Sequence, residues 1–306
     1  MSGNKTKIMK TATTVEEQIR ILESRGVVIN SREKAKEVLL DIGYFRLGFY
    51  CFPFEITYPK KTNRSHEYKA GTHLKDIVEL YYFDNDLRHI LLKYLYRIEV
   101  NFRTRVVYTV SNFFKDAPTW FVDPTIVATT YAQDFEKKVY KPLRDGQEVI
   151  RRHHKNRLNI NDKYAPAWKT IEFMTFGAVI KLFEAIRSQS VQEDIAMGYN
   201  LTDIKVLRSY LWVIQSARNV CSHGGVLFDI SLSRSIAKGP AGRLTKKDRH
   251  SLVGMIKVIL YLIGQISTNR QNNLLKELGD LLKAFKHNPI VGEIIPLFKD
   301  LFPIGA

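Results

Sequence analysis

Between Thr72 and Asn112 apolar residues return at helical spacing for about eleven turns. Leu74, Ile77, Leu80, Leu87, Leu91, Leu95, Ile98 and Phe102 fall on one face. A stripe of that length has to be covered from end to end, and the element that does so in a chain of this kind is the spine of a helical bundle. Asp84-Asn-Asp86 is where a break would fall. The polar side carries Arg88, Lys93, Arg97, Arg103 and Arg105, a row that reads either as solvated helix surface or as a face turned to RNA.

The rest of the chain carries helix punctuation. Thr14-Val-Glu-Glu17 is a capping box ahead of Val15, Ile19 and Leu22, closed by Gly26. Asn30 or Ser31 opens a second helix that runs to Gly43. Tyr44 to Phe54 is dense in aromatics and expected to plug the core, and the polar, basic stretch from Tyr58 to Gly71 to form a loop or short hairpin. A helical segment near Tyr131 to Lys155 is expected to kink at Pro142, which has no N–H to donate. Pro166 fits a first helical turn, Thr175 caps Phe176 to Arg187, and Thr202-Asp203 opens a helix that Gly224-Gly225 close. Two more helices are expected near Gln271 to Phe285 and Val291 to Leu301. Alternating strand patterns are scarce, so the fold class is all-α.

At roughly 150 residues per domain, 306 residues suit one large domain or two intimate ones. The expected organisation is a helical and aromatic segment at 1–70 packed on a core at 71–230, with a helical extension at 231–306, together one compact unit. The hydrophobic share of 45% and charged share of 25% exclude a disordered, collagen-like or membrane-dominated chain. Cys51 and Cys221 have no neighbouring cysteine for a zinc pair, and they point to a reducing cytoplasmic setting. Met1 to Lys10 has no apolar core of a secretion signal. The most apolar run, Leu252 to Ile266, is shorter than the roughly 20 residues that span a bilayer and includes Lys257 and Gln265.

Charge narrows the function class. Lys and Arg number 47 against 31 Asp and Glu, a net +16 that attracts phosphate polymers. The densest basic run is Arg151-Arg-His-His-Lys-Asn-Arg157, and a second lies between Arg234 and Arg249. Arg88, Arg97, Arg103, Arg151, Arg152, Lys155, Arg157, Lys246 and Lys247 are therefore the candidate RNA-binding residues, although a solvated surface accounts for such charges equally well. Adjacent His153 and His154 cannot both face one site on a helix, so no metal role is expected. A peripheral membrane protein is disfavoured because no stretch sets an apolar face against a wholly basic one.

The chemistry concentrates in Arg218-Asn-Val-Cys-Ser-His223. Asn219 and His223, four apart, share a face, whereas Arg218 and His223 differ by roughly 140° at about 100° per residue. A long arginine can swing back. The C-terminal end of a helix favours a cationic imidazole. The set supplies a proton-transfer group, a guanidinium for phosphate oxygens and an amide to orient either. Those parts suit metal-independent cleavage of RNA by its own 2′-hydroxyl, to which DNA is inert. On pattern alone a capped histidine and a salt-bridged arginine are the commoner use of such residues. Arg243 and His250 also match R-x4-6-H, but that match straddles the cap signal at Thr245, where a helix is expected to begin, and is treated as chance.

Four ordered blocks carry a resemblance. They are Leu22-Glu-Ser-Arg-Gly-Val-Val-Ile-Asn30; Ile42-Gly-Tyr-Phe-Arg-Leu-Gly-Phe-Tyr50 with Pro53-Phe54; Gly71-Thr72 through Leu80-Tyr-Tyr-Phe-Asp-Asn-Asp-Leu-Arg88 to Arg97-Ile-Glu-Val-Asn-Phe-Arg-Thr104; and Thr175-Phe-Gly177 leading to Arg218-Asn219 and His223. The chain resembles the Abi-like abortive-infection family of bacterial phage-defence proteins, AbiD/AbiF type, within the HEPN superfamily. The resemblance implies a HEPN-type helical bundle with N- and C-terminal extensions and metal-independent endoribonuclease activity without a cofactor. It further implies Arg218, Asn219 and His223 as catalytic residues, homodimerisation across the motif, and a cognate small noncoding RNA as partner. It also implies kinship to the nuclease modules of RNA-guided type VI CRISPR effectors. Relatives often read R-N-x-x-A-H-H, whereas Ser222-His223-Gly224 stands here, so a role for a second histidine is absent. The alternative expectation is a non-catalytic scaffold that binds a small RNA or a protein.

Overall fold

The computed structural model describes residues 11–298 and Leu301. Among the described residues the regular structure is helical, with three isolated β-bridges and no strand, so the fold is all-α. None of their helices is long and apolar enough to cross a membrane. The chain divides into two units, Met1–Asp86 with Asp280–Ala306, and Leu87–Gly279.

In the first unit, α1 (Val15–Ser24) starts at the expected capping box: the Thr14 hydroxyl accepts the Glu17 N–H at 3.3 Å while the Glu17 carboxylate accepts the Thr14 N–H at 2.7 Å. Ser31 caps α2 (Arg32–Asp41), its hydroxyl accepting the Lys34 N–H, and the two helices bury Ile19, Leu22, Ala35 and Leu39. The aromatic segment forms α3 (Tyr44–Cys51) and a 3₁₀ turn, Phe52–Phe54. It is only half a plug. Tyr50 and Phe54 are buried, but Phe45 and Phe49 stand out at 82% and 48% exposure as an edge-to-face pair. Burial pushes the Cys51 thiol up to about 12, which leaves it inert. The Tyr58 to Gly71 stretch folds back as a hairpin-like loop, with the Ile56 N–H on the Glu67 carbonyl and the Lys69 N–H on the Phe54 carbonyl. At its base Glu55, wholly buried, holds Arg64 and His66.

The long stripe is α4 (Leu74–Phe113), and it does not break at Asp84-Asn-Asp86. Asp84 is wholly buried and accepts the Tyr50 hydroxyl at 2.8 Å, so it needs no water and the helix runs on.

In the second unit the expected kinked helix at Tyr131 to Lys155 is three pieces. After α5 (Thr129–Phe135) the chain widens into a π-helical turn, Glu136–Tyr140, in which the Lys141 N–H reaches the Glu136 carbonyl. Pro142 then sits in the first turn of α6 (Lys141–Gly146), where its missing N–H leaves no gap. The actual break is at Gln147, in extended conformation, before α7 (Glu148–Lys155). A short α8 (Ala167–Thr170) follows Pro166. Thr175 caps α9 (Phe176–Ala185), accepting the Ala178 N–H, and Ser188 caps α10 (Gln189–Met197). Asp203 caps α11 (Ile204–Ser222), which packs against α9, α10 and α12 (Leu252–Ile266). Thr245 caps only a turn: its hydroxyl accepts the Asp248 N–H, and the helix proper waits until Leu252. α13 (Thr268–Ala284) ends in the first unit, which also holds α14 (Pro289–Ile294).

Candidate functional site

The motif lies at the end of α11. Leu207, Leu211, Ile214, Ala217 and Cys221 face inward and fix the helix, which stops in a Schellman turn. His223 is the C-cap, its N–H on the Asn219 carbonyl at 3.0 Å. Gly224 follows at φ +64°, and the Gly225 N–H returns to the Val220 carbonyl at 2.9 Å. Only a residue without a Cβ takes that left-handed step freely. Asn219 and His223 are thereby exposed on the last turn, with Arg218 half-buried beside them. Among the described residues these three side chains make no hydrogen bond to one another.

Arg218 has a partner that spacing did not suggest. Its Nε lies 3.7 Å from Oε2 of Glu99 on α4, while Oε1 of Glu99 accepts a hydrogen bond from Arg103 Nη2 at 3.0 Å. Arg103 Nη2 also donates to the Met174 carbonyl at 3.1 Å, just ahead of the Thr175 cap. Glu99 and Arg103 are 6% and 7% exposed, whereas 39% of the Arg218 side chain is open. One buried carboxylate thus ties α4, the start of α9 and the end of α11 together, leaving the Arg218 guanidinium anchored at one edge and accessible at the other. The Glu99/Arg103 spacing of four, inside the third of the resembling blocks, was the available signal.

The arginine row on α4 is not an outer face. Arg88, expected among the RNA-binding residues, is 5% exposed and donates to the Gly225 carbonyl at 3.1 Å, holding the turn after His223. Arg103 serves the network above. Arg105 lies over the Tyr199 ring at 5.2 Å, and Lys93 pairs with Glu277 at 2.6 Å. Of the expected contacts on this helix only Arg97 is exposed. The physical reason is coverage: once helices pack around a spine on most sides, its arginines turn inward to satisfy carboxylates and carbonyls.

The other candidates are at the surface. Arg151 and Arg152 both pair with Glu148, at 2.8 and 3.0 Å, while Lys155, Arg157, Lys246 and Lys247 are exposed. His153 and His154 meet edge to face, ring centroids 5.2 Å apart, but take different polar partners. His153 is buried with Nε2 3.1 Å from Asp162, and burial, then Lys169 and His154, hold its pKa below the ordinary value. His154 Nε2 meets the Tyr140 hydroxyl at 2.7 Å. His250 of the second motif match rests on the Leu232 carbonyl at 2.9 Å and is held as a structural residue.

The family model described as Abi-like protein matches residues 37–229, well over half of the chain. The chain therefore belongs to the Abi-like family, which points to abortive infection as its setting. The matched span takes in α4, Glu99 and the whole of the α11 motif. Among curated proteins and among solved structures no match was found.

Proposed function

We propose that this member of the Abi-like family is an RNA-binding, HEPN-type endoribonuclease of phage defence, cutting RNA without a metal through the ribose 2′-hydroxyl. The observation that carries the reading is an exposed His223 at the end of the helix that also holds Arg218, whose guanidinium is anchored from below by the buried Glu99–Arg103 pair and open above. An unanchored surface arginine would collapse onto any nearby acid; this one is oriented before a ligand arrives, and preorganised charge is what a phosphorane needs.

In the reaction, the His223 imidazole takes the proton of the 2′-hydroxyl as O2′ attacks phosphorus. Arg218 neutralises the charge that builds on the non-bridging oxygens. The bond from phosphorus to O5′ breaks, and the departing oxygen takes a proton from an imidazolium. The products are a 2′,3′-cyclic phosphate and a 5′-hydroxyl. Asn219, a turn before His223, orients the imidazole or the phosphate. A second copy of the chain supplying its own Arg218 and His223 across a two-fold axis would give separate general acid and base, which is why a homodimer belongs to this proposal.

Labelled single-stranded RNA and its deoxy counterpart, incubated with the full chain in EDTA, test the reading. RNA cleavage, no DNA cleavage, and a fall of roughly a hundred- to ten-thousand-fold for His223→Ala are expected, with Arg218→Ala similarly impaired. No cleavage by the unaltered chain would remove the nuclease; cleavage surviving in both variants would remove the site.

A further inference from the structure

The open face of α11 does not end at the motif. Arg208, Trp212, Gln215 and Asn219 recur at i, i+4, i+7 and i+11, the spacing of a single stripe, and none of them is among the buried residues of the helix. Alongside the first three runs a groove of about 530 Å³, walled by α9 with Lys181 and Glu184 and by the segment after α11 with Arg234. One wall closes on a glycine. A Cβ at Gly177 would strike the Gln215 amide, so the glycine of the Thr175-Phe-Gly177 block is what lets Gln215 settle against α9.

Its lining has the composition of a nucleobase platform. Three cations, Lys181, Arg208 and Arg234, face one carboxylate, Glu184. Trp212 is partly exposed, and the Arg234 guanidinium lies 5.5 Å from its ring centroid. Gln192 holds Arg208 through a 3.0 Å hydrogen bond and is itself buried, donating to the Phe183 and Ile186 carbonyls at 2.9 Å. An indole with the Arg234 guanidinium over one face, in a groove it shares with Arg208 and with the Gln215 amide that can meet a base edge, combines stacking on its other face and phosphate attraction as single-strand binders do.

Resting on the nuclease reading of Arg218 and His223, we propose that this groove seats a base of single-stranded RNA on Trp212, with Arg208, Arg234 and Lys181 on the flanking phosphates, and so sets which nucleotide reaches the motif. Trp212 and Asn219 are seven residues apart, about 10 Å along the helix, so a strand stacked on the indole passes to the His223 end within its neighbouring nucleotides.

The test separates binding from cutting. In full-length His223→Ala protein, fluorescence anisotropy with a labelled single-stranded RNA and with an abasic ribose-phosphate strand of equal length compares Trp212, Trp212→Phe and Trp212→Ala, with thermal unfolding run beside it. Stacking predicts affinity for RNA weaker on the order of tenfold for Trp212→Ala, near-parent affinity for Trp212→Phe, and no difference on the abasic strand. Equal RNA affinity for Trp212 and Trp212→Ala overturns the proposal, as does an equal loss on the abasic strand. Should Trp212→Ala not fold, Trp212→Phe and Arg234→Gln decide: the ring-keeping variant must hold affinity and the charge-removing one must lose it on both strands. In the chain with His223 intact, Trp212→Ala lowers kcat/KM for RNA. A chain that binds through Trp212 yet cuts nothing keeps the groove and loses the nuclease.

Discussion

Glu99 is the residue on which the site turns. It is buried between Arg103 and Arg218, and its removal strands the Arg103 guanidinium, whose Nε already lacks a partner among the described residues. Breaking a buried pair in this way costs about 3 kcal/mol, so Glu99→Ala should show a clearly lowered denaturation midpoint. Arg218→Ala removes a side chain that is 39% open and should unfold close to the parent. Thermal or urea unfolding of the two variants measures the contrast, and equal destabilisation would mean that the guanidinium is held as tightly as the acid. Arg218, Asn219 and His223 were legible in the sequence because they lie within two turns of one helix. Glu99 was not, since it comes from α4 far upstream and only packing brings it near.

At the scale of elements, caps and stops were the readable part. Thr14, Ser31, Thr175 and Asp203 each accept the backbone N–H expected of an N-cap, and Gly224 closes α11. Cap residues act on their own turn, so neighbours in sequence suffice to identify them. Continuity was harder. Asp84-Asn-Asp86 does not break α4, since Asp84 accepts the Tyr50 hydroxyl inside, and the break expected at Pro142 falls instead at Gln147, beyond a π turn and α6. The α7 element also carries a pH dependence. His153 is buried with a lowered pKa, so the unfolded chain takes up a proton that the folded one resists. Stability from this group is present above the ordinary histidine value near 6.5 and declines as pH falls below it. Denaturant unfolding across pH 7 to 5 should show that decline, and His153→Gln should flatten it.

For the whole molecule the excess of +16 is the dominant quantity. Part of it is held internally, Arg88, Arg103 and Lys257 being 5%, 7% and 6% exposed, while Arg151 and Arg152 share Glu148 at the surface. The remaining open cations, Arg97, Lys155, Arg157, Lys246 and Lys247 among them, are those able to meet phosphates. RNA binding should then weaken linearly in log affinity against log salt with a slope near −0.7 per phosphate neutralised. Titrations of Arg157→Ala and Lys155→Ala should flatten that slope, whereas a change in slope on replacing the buried Arg88 would contradict its internal role. By itself the sequence determined the all-α class, most caps, and the family motif, because hydrophobic period, turn chemistry and short spacings are local properties. Only the tertiary structure decided which arginines are surface and which are struts, that a distant glutamate anchors Arg218, and that Trp212 opens onto a basic groove. Burial and charge pairing depend on what packs from elsewhere in the chain, and no local pattern records that.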